Sequence, residues 1–240
     1  MYKRQTLDIT PINDAPSFAA QNPPAVNEDP EGVTVSNWST FNPGPGESNQ
    51  LVLAYQVANV SNPGLFSILP TIDALGNLVY DPRKDASGQS NFDVRVLDSG
   101  NSDNGGSNAS GFQTFTITVN PVNDPPQLIA SNPPPTITDS GSQLVNQWAA
   151  FNAGAPDEST QQVTIDVTSV ENESLFAVAP TVDAQGNLRY TPASGTSGTT
   201  AFSVRASDNG GTANGGSNVS EEQTFVIEIR ADALFLDSFE

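Results

Sequence analysis

Residues 65–82 read LFSILPTIDALGNLVYDP and residues 175–192 read LFAVAPTVDAQGNLRYTP; 11 of these 18 positions are identical at an offset of 110. The same offset aligns Ile12-Asn13-Asp14 with Val122-Asn123-Asp124, Trp38 with Trp148, and Phe92-Asp-Val-Arg95 with Phe202-Ser-Val-Arg205. It also aligns Gln113-Thr-Phe115 with Gln223-Thr-Phe225, and no insertion is needed anywhere along the register. A fixed period of this kind means two copies of one structural unit.

Within each copy, short runs of period-2 alternation are separated by Gly, Pro, Asn and Asp clusters, which is strand patterning. In the first copy the pattern predicts strands at 17–25, 32–41, 51–60, 65–69, 77–81, 91–97 and 112–120. The third strand is expected to present Leu51, Leu53, Tyr55 and Val57 on one face. The sixth presents Phe92, Val94 and Val96, and the seventh Phe115, Ile117 and Val119; the second copy repeats these faces as Val163, Ile165, Val167, then Phe202, Val204, Ala206, then Phe225, Ile227, Ile229. No stretch shows a 3.6-residue period. The fold class predicted is all-β: two tandem seven-stranded immunoglobulin-like β-sandwiches, with Trp38 and Trp148 packed between the sheets and no disulfide. The units are expected at 12–121 and 122–231, preceded by a segment 1–11 and followed by a tail 232–240.

The 240-residue chain has no histidine and no cysteine, and its charge is 8 Lys+Arg against 27 Asp+Glu, a net of −19. No Ser–His–Asp or Cys–His nucleophile can be built, and no imidazole is present to act as a base near neutral pH. Zinc–thiolate and haem–histidine sites are excluded as well. A metal, if bound, must sit on oxygen, which points to calcium or magnesium. Too few cations are present to neutralise nucleic-acid phosphates, and no apolar run approaches the ~18 residues of a membrane span. The Gly-rich loops 102–107 and 208–216 lie between strands and open no helix, so they read as mobile loops rather than phosphate cradles.

The carboxylates concentrate where an immunoglobulin topology places loops. In the first copy the far end carries Glu28 and Asp29 in Val26-Asn-Glu-Asp-Pro30, and Asp81 and Asp85 in Tyr80-Asp-Pro-Arg-Lys-Asp85. In the second copy the near end carries Asp157, Glu158, Asp183 and Asp208. Between them runs the linker Pro121-Val-Asn-Asp-Pro-Pro126, whose Asn123 and Asp124 add side-chain oxygens. Carboxylates gathered within ~6 Å repel one another unless a cation sits among them. Calcium takes 6–8 oxygens and could use such a set, turning a hinge into a strut. Any single one of these acids is also simply a good turn residue.

The segments Ile12-Asn-Asp-Ala-Pro16 and Val122-Asn-Asp-Pro-Pro126, each after a strand like Phe115-Thr-Ile-Thr-Val119, resemble the Asn-Asp-x-Pro linker of cadherin-like domains. The likeness extends to the tandem cadherin/immunoglobulin-like repeats of large bacterial surface proteins. Val26-Asn-Glu-Asp resembles the acidic segment after their first strand, and Val204-Arg-Ala-Ser-Asp-Asn-Gly resembles their Val-x-Ala-x-Asp-x-Gly segment. The resemblance implies a β-sandwich, interdomain Ca2+ ligated by Glu28, Asn123, Asp124 and Asp208 or their neighbours, and an adhesive or spacer role outside the cell. Position 28 becomes Thr138 in the second copy, although Asp139 survives, so the far end of that copy is expected to hold no ion.

Leu7 and Ile9 align with Ile117 and Val119, so residues 1–11 read as the last strand of a preceding repeat or as a strand donated to another molecule. Three functions follow from these features. The first is a non-enzymatic adhesion or stalk segment of a bacterial surface protein; the second, a fibre subunit that self-assembles by strand donation; the third, a glycan-binding accessory module of a secreted enzyme. The expected partners are other copies of the chain or extracellular ligands, with neither nucleic acid nor membrane insertion.

Overall fold

The computed structural model describes residues 4–5 and 10–232. The expected strand at 1–11 and the tail 232–240 therefore lie largely outside the described residues. The described chain falls into two compact units divided between Pro121 and Val122. In the first repeat the strands are β1 Ser17–Ala19, β2 Val26–Asn27, β3 Val33–Val35, β4 Thr40–Asn42, β5 Val52–Ala58, β6 Phe66–Ile72, β7 Leu78–Pro82, β8 Gly88–Asp98 and β9 Gln113–Asn120. The second repeat has β10 Gln127–Ala130, β11 Thr136–Ile137, β12 Gln143–Val145, β13 Ala149–Asn152, β14 Val163–Val170, β15 Phe176–Val182, β16 Leu188–Pro192, β17 Gly198–Asp208 and β18 Gln223–Arg230.

Each repeat is a sandwich. One sheet runs β2-β9-β8-β5, the other β3-β7-β6, with β1 paired to β4; the second repeat has β11-β18-β17-β14, β12-β16-β15 and β10 on β13. The predicted first and second strands are each broken in two. In the first, Pro23 and Pro24 supply no N–H for a ladder, so the strand leaves β4 and rejoins the structure as β2, parallel to β9. In the second, Asn37 takes a left-handed φ of 51°, and Gln147 does the same at 49°. That turn drives the next residue inward: Trp38 and Trp148 are 8% and 7% exposed. Trp38 stacks edge-on to Phe115 at 4.8 Å and donates its indole N–H to the Gln21 carbonyl at 2.7 Å; Trp148 meets Phe225 at 5.0 Å and bonds Ser131 at 2.7 Å. The tryptophans are core residues, as their position between the sheets required.

The doubled motif at 65–82 and 175–192 explains how the broken strand is held. Asp73 Oδ1 accepts the N–H groups of Leu75 and Asn77, closing the hairpin turn between β6 and β7. Asn77 then accepts the Asn37 N–H at 2.9 Å, and Ser39 N–H reaches the Gly76 carbonyl at 3.0 Å. Any Cβ at Gly76 would strike the Ser39 carbonyl, and its φ of 81° also suits glycine. Asp183, Gly186 and Asn187 repeat the device on Gln147 and Ala149. The identical residues of the repeat are thus the staple that fixes each tryptophan.

Two expectations require correction. Leu51 and Leu53 do not face the core but are 71% and 63% exposed. The reason is a bulge: Val52 pairs with Asp98 and Ala54 with Leu97, so Leu53 is an extra residue and the alternation reverses there. The second repeat has no bulge at this point, and Val163 pairs with Asp208. The repeat is therefore not free of insertions. The loop before β5 is one residue shorter than the loop before β14, and Leu53 restores the count. Elsewhere the predicted faces hold; Phe92, Val94, Val96 and Ile117 are fully buried, as are Val204, Ala206 and Ile227.

Candidate metal centre

At the end where the chain enters each repeat, the linker asparagine is the hub. Asn123 donates its amide to Asp208 Oδ1 at 3.0 Å and to the Ser217 carbonyl at 2.7 Å, and its Oδ1 accepts from Gln161 Nε2 at 2.8 Å. Its main-chain carbonyl accepts the Ser217 N–H at 2.8 Å. The following Asp124 N–H is held by Glu158 Oε1 at 2.9 Å, and Glu158 Oε2 takes the Ala155 N–H at 3.3 Å. In the first repeat Asn13 makes the same bonds: to Asp98 at 3.3 Å, to the Ser107 carbonyl at 2.7 Å and from Gln50 at 2.6 Å, with Asp14 N–H on Glu47 Oε1 at 3.0 Å. Gly100 and Gly210 each donate to the aspartate Oδ1.

The second oxygens of these groups are the chemically informative ones. Asp98 is fully buried and Asp208 is 8% exposed, yet Oδ2 of each makes no hydrogen bond. The same holds for Glu47 Oε2, Gln50 Oε1 and Gln161 Oε1. All five are acceptors. A buried carboxylate oxygen without a donor is costly, by ~1–3 kcal/mol or more for a charged group. Coordination to a hard cation relieves that cost, and an all-oxygen set fits calcium rather than a softer metal.

At the far end of the first repeat Glu28 is buried at 6% exposure. Asp29 adopts φ 64° and its Oδ1 accepts the Asp85 N–H at 2.9 Å. Asp81 accepts from Gly32 N–H at 3.1 Å and from Ser67 Oγ at 2.6 Å, and an open hollow of about 460 Å³ lies among Asp29, Glu31, Asp81 and Lys84. In the second repeat Asp139 stands alone at the corresponding turn, its Oδ1 taken by Ser194 Oγ at 2.7 Å and Gly195 N–H at 3.1 Å.

The structure thus brings Asn123, Glu158 and Asp208 into one hub, with Asp124 joined through its N–H. At the far end of the first repeat it brings the Asp29 and Asp85 carboxylates within 4.8 Å of each other, with Asp81 across the same hollow and Glu28 next to Asp29 in the chain. Asp157 is exposed. Asp183 belongs to its own hairpin: bonds from Asn187, Gln185 and Arg189 hold its carboxyl below the usual aspartate range. Sequence reading missed Asp98, Glu47, Gln50 and Gln161. Asp98 was within reach, because it aligns with Asp208 at the common offset. Glu47 and Gln50 were not, because the shorter loop places them one residue out of that register, opposite Asp157 and Thr160 instead of Glu158 and Gln161.

The model of the bacterial Ig domain family matches residues 123–220, within the second repeat. Among solved structures, the EC1-2 fragment of human protocadherin-24 is similar over 92% of this chain and 100% of its own, with 17% identity and a TM-score of 0.50. Its second crystal form covers 91% of this chain and 100% of its own, with 16% identity and a TM-score of 0.54. At such identities the likeness is one of fold. No curated protein matches the chain. Among the described residues no helix is long and apolar enough to cross a membrane.

Proposed function

We propose that this chain, a tandem of cadherin-like, bacterial immunoglobulin-like repeats, is a non-enzymatic spacer or adhesion segment of a bacterial surface protein, stiffened outside the cell by calcium. The observation that carries this reading is the pair of buried aspartates, Asp98 and Asp208, whose Oδ2 atoms make no hydrogen bond in a chain without histidine or cysteine. Asn123, Asp124 and Asp208 would hold an ion at the entry of the second repeat, with Glu158 fixing the loop that surrounds it. Asp98 and Glu47 would do the same in the first repeat, and Glu28, Asp29, Asp81 and Asp85 would supply the acids for an ion at its far end. Calcium would supply charge neutralisation and six or more coordination bonds that tie together the loops at these ends of each repeat. Asp157 and Asp183 contribute surface charge and turn structure.

Both tryptophans of the chain are core residues, so a glycan-binding reading has no tryptophan platform to rest on. The partners proposed are other copies of the chain or extracellular ligands. The test is thermal unfolding in excess calcium and then in chelator. A ligand that binds only the folded state at ~100 times its Kd adds ~2.7 kcal/mol, so the melting temperature should rise by several degrees. A melting temperature indifferent to calcium overturns the ion.

A further inference from the structure

We propose that the linker asparagine of each repeat is also a metal-independent mechanical clasp, through which tension on the chain passes into the central strands of the sandwich. The strand that follows the linker is poorly anchored by its own pairing. Strand β10 pairs with β13 over four residues and β1 with β4 over three. Strand β17, by contrast, is paired on both sides, with seven partners each on β14 and β18. Asn123 connects the linker to the end of that strand before the chain reaches β10. Its side chain bonds Asp208, the last residue of β17, and its amide and main-chain carbonyl grip the carbonyl and N–H of Ser217 as two rungs of a ladder would. Gln161 closes the remaining face, and Glu158 holds the next N–H.

The Gly-rich loops, which the sequence left without a role, are the socket. A Cβ at Gly210 would overlap the Asn123 side chain, and one at Gly216 would crowd its main chain; Gly100 and Gly106 stand in the same relation to Asn13. The geometry also survives a change in loop length. With a loop one residue shorter, Glu47 and Gln50 still sit five and two residues before the first residue of β5, as Glu158 and Gln161 do before β14, and Leu53 absorbs the difference as a bulge. Every bond of the clasp has an N–H as donor, so its strength does not depend on a cation. The clasp goes beyond the calcium reading and stands or falls separately from it.

The experiment is single-molecule unfolding of the full chain at constant force, carried out in chelator. Two unfolding events are expected to persist. Asn123→Ala should speed one of them ~10- to 100-fold, the factor for losing a hydrogen bond to a charged group, and leave the other unchanged. Adding Asn13→Ala should speed both. Ile227→Val, which trims the core without touching the clasp, should change the rate at constant force much less for the same loss of equilibrium stability. If Asn123→Ala prevents the second repeat from folding, Gln161→Leu removes one bond with the asparagine in place and should give a smaller acceleration in the same direction. Loss of both wild-type events in chelator, or asparagine and glutamine variants no faster than Ile227→Val, would overturn the clasp. Because calcium is absent throughout, failure of the calcium reading leaves the outcome unaffected.

Discussion

Asn13, Glu47, Gln50 and Asp98 in the first repeat make the same bonds to and around the asparagine as Asn123, Glu158, Gln161 and Asp208 in the second, differing in that Glu158 Oε2 also takes the Ala155 N–H. The opposite ends of the two repeats differ. The first gathers Glu28, Asp29, Asp81 and Asp85 there, while the second has Thr138, Asp139, Thr191 and Gly195 at the same offset. What the two have in common is therefore the end that receives the chain, and what distinguishes them is the acid at the other. Bonds that hold the linker asparagine are structural and are needed in every repeat. Of the two far ends, only that of the first repeat carries a set of acids that a cation could offset on the calcium reading.

Four perturbations would break or sharpen this comparison. The largest effect is expected in the cores: Trp38→Ala and Trp148→Ala should each cost ~3–5 kcal/mol and lower the denaturation midpoint of their own repeat only. Unequal losses would show that the cores are less alike than their ring contacts indicate. Next come the hub aspartates. Asp98→Ala and Asp208→Ala, measured by urea unfolding in chelator, should cost similar amounts, ~1–3 kcal/mol, because each leaves the asparagine amide and a glycine N–H short of an acceptor.

The bulge gives a smaller and more pointed test. Leu53→Ser should change stability by no more than ~0.5 kcal/mol, as at an ordinary surface site. A loss of ~2–5 kcal/mol, as for a buried leucine, would restore the uninterrupted register and contradict the bulge. The smallest effect concerns pH. Hydrogen bonds from Asn77 and Asn187 depress the carboxyls of Asp73 and Asp183 below the ordinary 3.8. A depressed aspartate contributes stability that is present above its unfolded value and is lost as the pH falls through the lower folded one. Asp73→Asn and Asp183→Asn should therefore each flatten the stability profile below about pH 3.8 and leave its shape near neutrality unchanged. Asp73 is exposed and Asp183 half-buried, and both titrate in the acid range, so a steep effect at pH 6 would point to another residue.

The sandwich, the two units and the buried faces of the sixth and seventh strands were legible because period-2 alternation and an internal repeat are properties of the chain itself. The two broken strands were marked less clearly. Pro23 and Pro24 forbid a continuous first strand, but nothing in Ser36-Asn37-Trp38 shows that Asn37 turns left-handed; that depends on Asn77, forty residues on. The bulge was hidden by compensation. A missing loop residue and an added strand residue cancel in any count at a fixed offset, so Leu53 looked like a core leucine and Glu47 went without a role. The hub was half legible: Asn123, Glu158 and Asp208 carry charge or motif, whereas Gln50 and Gln161 are neutral amides whose importance comes only from what they touch.

The central claim is that oxygen ligands at specific ends of the repeats bind calcium. It is tested most directly by titrating calcium into the full chain by calorimetry, comparing the wild type with an Asp29→Asn, Asp81→Asn double variant and with Asp139→Asn. Calcium binding to the wild type is expected, with part of it lost in the double variant and no change in Asp139→Asn, because Thr138, Thr191 and Gly195 stand where the first repeat has Glu28, Asp81 and Asp85. A wild-type chain that takes up no calcium, or three proteins that bind it identically, would contradict it.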